Sequence, residues 1–132
     1  MKALRIALAL GFLIDGFVGL ISLFAPGLLK PLFDLPVKEM LTAQIAGGEF
    51  IVVALVYAVA FANPVRFRPL LWLCAVDQAF AVLLPALGIA HGAVPATWKV
   101  LAPIPLSALL AALYAAYAVR LGRKRSATPF MQ

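Results

Sequence analysis

Three carboxylate side chains, Asp15, Glu49 and Asp77, lie inside long apolar stretches of this 132-residue sequence. An acidic side chain at the centre of a membrane-spanning helix costs about 2.5 to 3.5 kcal/mol, and such residues usually face a bundle interior or a cavity. Carboxyl groups in such a medium can hold a proton, bind a cation or act as an acid and base pair. These three acids are therefore the candidate functional residues.

The apolar stretches themselves must position the acids. Residues 41–61 read LTAQIAGGEFIVVALVYAVAF, which is long enough to cross a bilayer, with Glu49 close to the middle. Similar stretches predict further spans at residues 3–25, 70–90 and 99–119. The stretch with Glu49 is the second of the four spans and is predicted to cover residues 41–62. The sequence predicts one all-α transmembrane domain over residues 1–132, a four-helix bundle followed by a basic, flexible tail at 120–132.

Composition supports an integral membrane protein whose first partner is the lipid bilayer. The chain is 65% hydrophobic and 12% charged, with a mean hydropathy of +1.06. Its net charge of +6 does not indicate nucleic-acid binding, because the basic residues lie at span ends and in the tail. Cys74 is the only cysteine, so an intrachain disulfide is excluded.

The basic residues also predict an orientation. Lysine and arginine flank the spans unevenly, eight on one side and three on the other. The larger group is Lys2, Arg5, Arg66, Arg68, Arg120, Arg123, Lys124 and Arg125, and the smaller is Lys30, Lys38 and Lys99. By the positive-inside rule both termini are expected in the cytoplasm. The basic start and apolar run resemble a signal peptide, but Asp15 interrupts the run, which favours a retained first span.

Small residues predict close helix packing around the acids. In the first span Ala3, Ala7, Gly11, Asp15 and Gly19 recur every four residues and are therefore expected to share one face. Such a stripe allows a neighbouring helix to approach closely. The Gly47-Gly48 pair directly before Glu49 gives the second span the same property.

Depth along the helices predicts that the acids converge. At about 1.5 Å rise per residue, all three acids lie within a few ångströms of the midplane. Neither lysine nor arginine is expected at that depth, so desolvation and mutual repulsion favour a protonated form for at least one acid. Possible hydrogen-bond partners at similar depth are Ser107 beside Glu49, and Tyr57 and Tyr114 beside Asp77.

Three interpretations of the acid cluster stay open at this point. The leading one is a site for a proton, or for the cationic or hydroxyl end of an otherwise apolar ligand. A metal site is not expected, because three acids without nearby histidine or cysteine suit transition metals poorly. The second interpretation is an intramembrane enzyme, such as an isomerase of lipid-like substrates that uses two acids. The third is a structural subunit whose protonated acids hydrogen-bond between helices.

The layout resembles the small four-helix membrane proteins grouped as DoxX-like, including the BphX-like branch. The matching features are the glycine-spaced first span ending in LFAPGLL, the A-G-G-E of residues 46–49, and the short basic turn NPVRFRP that follows. The resemblance implies a bacterial inner-membrane bundle, with members that resemble accessory subunits of membrane redox systems. A partner in a membrane complex, or a homo-oligomer, is expected accordingly. The resemblance brings no catalytic residues with it, and the sequence names no cofactor.

Overall fold

A computed structural model describes residues 1–126 of the chain, with side chains through Arg123. Within this part the structure is helical and contains no strands, which confirms the all-α prediction. The helices are α1 Lys2–Phe24, α2 Leu29–Phe33, α3 Met40–Ala62, α4 Arg68–Ala90, α5 Trp98–Leu101 and α6 Pro103–Ser126. Four helical stretches are long and apolar enough to cross a membrane: α1, α3, α4 and Trp98–Arg123, which joins α5 to α6.

Local chemistry explains where the long helices begin and end. Pro26 follows the end of α1 and opens a 3₁₀ turn, because proline lacks the N–H that would continue the helix. Asn63 ends α3, and its Oδ1 accepts a hydrogen bond from the Arg66 backbone N at 3.0 Å, which closes the basic turn. Pro69 lies in the first turn of α4, where a missing N–H is tolerated.

Two segments differ from the sequence prediction. Residues 26–40, which lie between the first two predicted spans and outside any predicted helix, contain α2, which ends at Asp34 in the left-handed conformation with φ 55°. The segment predicted as a flexible tail begins inside a helix, because α6 continues to Ser126. Lysine and arginine are good helix formers and interact favourably with a helix C-terminus. The remainder of the predicted tail, residues 127–132, lies outside the described residues.

The bundle consists of two antiparallel helix pairs. In the first pair α1 packs on α3, and in the second α4 packs on α6. The two helices of the first pair approach each other closely at Gly47, where an added Cβ atom would lie 2.6 Å from the Leu23 backbone N and 2.9 Å from the Gly19 carbonyl oxygen. Backbone atoms therefore meet directly at this crossing, as the small-residue stripe predicts for Gly19.

The two pairs meet in a buried core whose largest members are two tyrosines. Tyr57 of α3 and Tyr114 of α6 are fully buried, with ring centroids 5.7 Å apart. The other buried members of this core are Leu4, Ala7, Leu8, Ala60, Leu71, Cys74, Ala75, Leu110 and Ala118. Large apolar side chains also cover the outside of the bundle, including Phe24, Leu55 and Leu84. That surface suits lipid rather than water.

The two ends of the bundle differ in charge. At one end, which we call the basic end, Arg5 lies over the Phe61 ring at 5.9 Å and the Arg68 guanidinium packs beside Gly122. At the other, the distal end, Thr97 Oγ1 donates a 2.8 Å hydrogen bond to Asp34 Oδ2. Lys99 lies there too, since its Nζ donates to the Pro31 carbonyl oxygen at 2.7 Å.

Candidate functional site

Asp15 is the most unusual buried side chain in the described part of the chain. It belongs to the inward stripe of α1, between Gly11 and Gly19, and is only 5% exposed. Its Oδ2 is the one buried side-chain nitrogen or oxygen among the described residues that has no hydrogen-bond partner. Nearly all buried polar groups in proteins are hydrogen-bonded, so this oxygen needs an explanation.

Asp77 of α4 is half-buried and well supplied with donors. Its Oδ2 accepts a 2.8 Å hydrogen bond from the Tyr57 hydroxyl and a 3.1 Å bond from Gln78 Nε2. The Tyr57 ring reaches this position by crossing α1 at Gly11, where a Cβ atom would lie 2.5 Å from the ring. The predicted partnership of Tyr57 with Asp77 is present in the structure.

Gln78 completes the polar cluster, although the sequence-based site did not include it. Its side chain is 2% exposed, and Nε2 donates to the Tyr57 hydroxyl at 3.0 Å as well as to Asp77. A glutamine inside an apolar span is itself costly to bury without partners. Because Gln78 directly follows Asp77 within an apolar span, the sequence could have indicated that it belongs to the site.

Asp15 and Asp77 form a carboxyl pair across the interface of the two helix pairs. Their side chains are close enough to hydrogen-bond to each other when one of them carries a proton. The one salt bridge found among the described residues joins Lys99 to Asp34 at the distal end, at 3.9 Å. Asp15 and Asp77, from here on the acid pair, therefore face each other without a basic partner within the described part.

Glu49 does not belong to this cluster, and the predicted convergence of all three acids is wrong in this respect. Its side chain is exposed on the outside of α3, on the same face as the exposed Ile45 and Val52. The contact of Gly47 with α1 fixes the rotation of α3. Glu49 follows Gly47 by two positions, and a side chain two positions further along a helix points about 200° away. Glu49 also lies eight residues, or about 12 Å, from Tyr57 along the helix axis.

Neither of the two remaining predicted residues hydrogen-bonds to the acid pair among the described residues. Tyr114 is buried, and its hydroxyl donates a 2.6 Å hydrogen bond to the Ala7 carbonyl oxygen of α1. It therefore connects α6 to α1. Ser107 is half-buried on α6, and within the described residues no hydrogen bond joins it to either acid.

The arrangement can hold a proton more readily than a metal. An ionised carboxylate that leaves water without a cationic partner costs several kcal/mol. Two facing carboxyl groups avoid that cost for one member by keeping a proton between them. No group of three or more histidine, cysteine, aspartate or glutamate side chains suited to a metal ion occurs among residues the structure describes.

The fold and the site together define a class: a four-helix protein of membrane-compatible length that places a carboxyl pair between two helix pairs. Comparison with known proteins adds no closer identity. No protein-family model matches the chain, and no curated protein or solved structure does.

Proposed function

We propose that this chain is a small integral protein of a bacterial inner membrane that binds a proton at the acid pair. The observation that carries the proposal is the unpartnered, buried Oδ2 of Asp15 facing a second carboxyl group. Four membrane-compatible helices support the location in a membrane. The DoxX-like layout supports the inner membrane and a role as accessory subunit of a redox or transport complex.

The donors around the pair favour one placement of the proton. Asp77 accepts hydrogen bonds from Tyr57 and Gln78, which suits an oxygen that carries negative charge or acts only as an acceptor. Asp15 has no donor aimed at its Oδ2 among the described residues. Asp15 is therefore the protonated member of the pair, and its carboxyl O–H donates a hydrogen bond to Asp77.

The geometry supports the enzyme alternative less well. Acid and base catalysis on a lipid-like substrate needs room for that substrate against both carboxyl groups. Asp15 is only 5% exposed and its Oδ2 is buried, so a substrate would have to displace neighbouring side chains to reach it. A purely structural role predicts the same hydrogen bonds and the same protonated Asp15, so the observable that separates the two roles is how readily this proton exchanges with water.

Infrared spectroscopy tests the proposal directly, because a protonated carboxyl group has a carbonyl band separate from that of a carboxylate. The background variant is Glu49→Gln, which removes the lipid-facing acid and leaves the pair intact. At neutral pH we expect one protonated carboxyl group per chain in this background. Asp15→Asn should abolish the band, whereas Asp77→Asn should keep it at a shifted frequency, because Asp15 then donates to an amide.

Either of two results would contradict the proposal. One is a Glu49→Gln background without a protonated carboxyl band at neutral pH. The other is a band that survives in Asp15→Asn, which would place the proton elsewhere. Far-ultraviolet circular dichroism of each variant checks that the helices are retained, so that a missing band is not caused by unfolding.

A further inference from the structure

A cavity of about 580 Å³ lies at the distal end of the bundle. It is bounded by the distal halves of α1 and α3 and covered by the segment 35–39 and by the connection between α4 and α5. Its lining includes Val18, Ser22, Thr42, Ala46, Phe50 and Val94. Two charged residues, Lys38 and Glu39, also line it where the chain enters α3.

The cavity lies along the same face of α1 as Asp15. Residues 15, 18 and 22 are spaced i, i+3 and i+7, so Asp15, Val18 and Ser22 form one row. Val18 is about 4.5 Å further along the axis than Asp15. Two residues of this row, Val18 and Ser22, line the cavity, so its nearest lining residue on α1 lies within one helical turn of Asp15.

Toward the basic end the same interface is closed. Leu4, Leu8 and Leu71 are each 0% exposed and pack between the acid pair and that end. The Tyr114 hydroxyl closes on the Ala7 carbonyl oxygen in the same layer. Close-packed interiors contain few voids larger than a water molecule, so this layer offers little room for a chain of waters.

We infer that the acid pair exchanges its proton with water at the distal end, through this cavity, and not at the basic end. The inference rests on the proposed function and adds the direction of access. The titratable neighbours of the pair are Tyr57 on α3, Cys74 on α4 and Tyr114 on α6, which are neutral groups at neutral pH. Glu39 is the one carboxylate among the cavity-lining residues, it is exposed, and its Oε2 accepts a 3.0 Å hydrogen bond from Thr42 Oγ1.

Hydrogen–deuterium exchange of the protonated carboxyl group tests this inference. The experiment uses the full chain in detergent, in the Glu49→Gln background, and follows the isotope shift of the carbonyl band after transfer to heavy water. Ala46→Trp places an indole ring in the cavity, and we expect exchange to slow by about tenfold or more, because exchange then waits for local opening. Its matched control is Ile45→Trp, at the neighbouring position that faces outward, where exchange should stay within about twofold.

The outcomes separate the inference from the proposed function. Ala43→Trp, at a second lining position, repeats the block in case Ala46→Trp does not fold. If a band is present and both blocked variants exchange as fast as Ile45→Trp, access does not run through the cavity and the inference is overturned. If the background protein has no protonated carboxyl band, the proposed function fails and the inference fails with it.

Discussion

Asp15 owes its burial to the side chains around it and not to a counter-charge. Small residues on its own helix allow α3 to approach, and the Tyr57 ring fills the groove above Gly11. The Tyr57 hydroxyl donates its hydrogen bond to Asp77, which leaves Asp15 Oδ2 without a donor. A neutral, protonated Asp15 is the form that this surrounding tolerates at the lowest cost.

Gly11→Ala tests how tightly Tyr57 is held. A Cβ atom there would lie 2.5 Å from the ring, so the ring must move and its hydrogen bond to Asp77 must lengthen. We expect a loss of about 1 to 3 kcal/mol, in spite of the better helix propensity of alanine. The control is Gly16→Ala on the same helix, where the nearest atom is 3.9 Å away.

Reversible unfolding in mixed micelles gives the measurement for both variants. Gly16→Ala should be neutral or stabilising by up to about 1 kcal/mol, because only the propensity term remains. Equal effects of the two substitutions would mean that the ring adapts freely, and that Tyr57 is not a fixed support for Asp77.

Sequence analysis identified the individual site residues unevenly, for physical reasons. Asp15 and Asp77 could be predicted because a charge in an apolar helix is costly wherever it points. The rotation of α3 could not, because it depends on which glycine of the Gly47-Gly48 pair meets α1. That rotation alone excludes Glu49 from the cluster, and it brings Tyr57 inward.

Helices α1 and α3 form a tightly packed unit because their backbones touch at Gly19 and Gly47. The chain offers a matched pair of positions at this crossing. Gly47→Ala would place a Cβ atom 2.6 Å from a backbone nitrogen, which cannot move aside as a side chain can. We expect a destabilisation of about 3 kcal/mol or more, caused by separation of the two helices.

Gly48→Ala is the control, since a Cβ atom at Gly48 meets nothing within 4 Å. It should be neutral or slightly stabilising. Unfolding in mixed micelles again reports the difference, and the infrared band of Asp15 shows whether the site opens with the helices. A Gly47→Ala variant as stable as Gly48→Ala would contradict the close crossing.

The elements were more predictable than their ends. Apolar runs bounded by proline, glycine and asparagine indicate where the four spans lie. The thickness of a bilayer and the chemistry of helix termination leave little freedom in the length of a span. The 3₁₀ turn and α2 were not predicted, since five to eight residues carry too little periodicity to separate a short helix from a loop. The extension of α6 depends on basic residues that also suit a flexible tail.

The whole molecule is asymmetric from end to end. A close-packed apolar core lies toward the basic end, whereas the Gly19–Gly47 crossing, a cavity and two connected loops lie toward the distal end. The acid pair lies between these halves and between the two helix pairs. With proton exchange inferred on the distal side, the orientation in the membrane decides which compartment the acid pair senses.

Orientation is predicted by charge and can be measured with reporter fusions. Lys2, Arg5, Arg66, Arg68, Arg120 and Arg123 lie at the end that the larger basic group defines. Because the positive-inside rule places such an end in the cytoplasm, a green fluorescent protein fused after Gln132 should fluoresce, and alkaline phosphatase fused there should be inactive. Fusions after Pro36, at the distal end, should give the opposite pair of results. An active phosphatase at Gln132 would indicate the opposite orientation in the membrane, and the distal cavity with its inferred proton exchange would then face the cytoplasm.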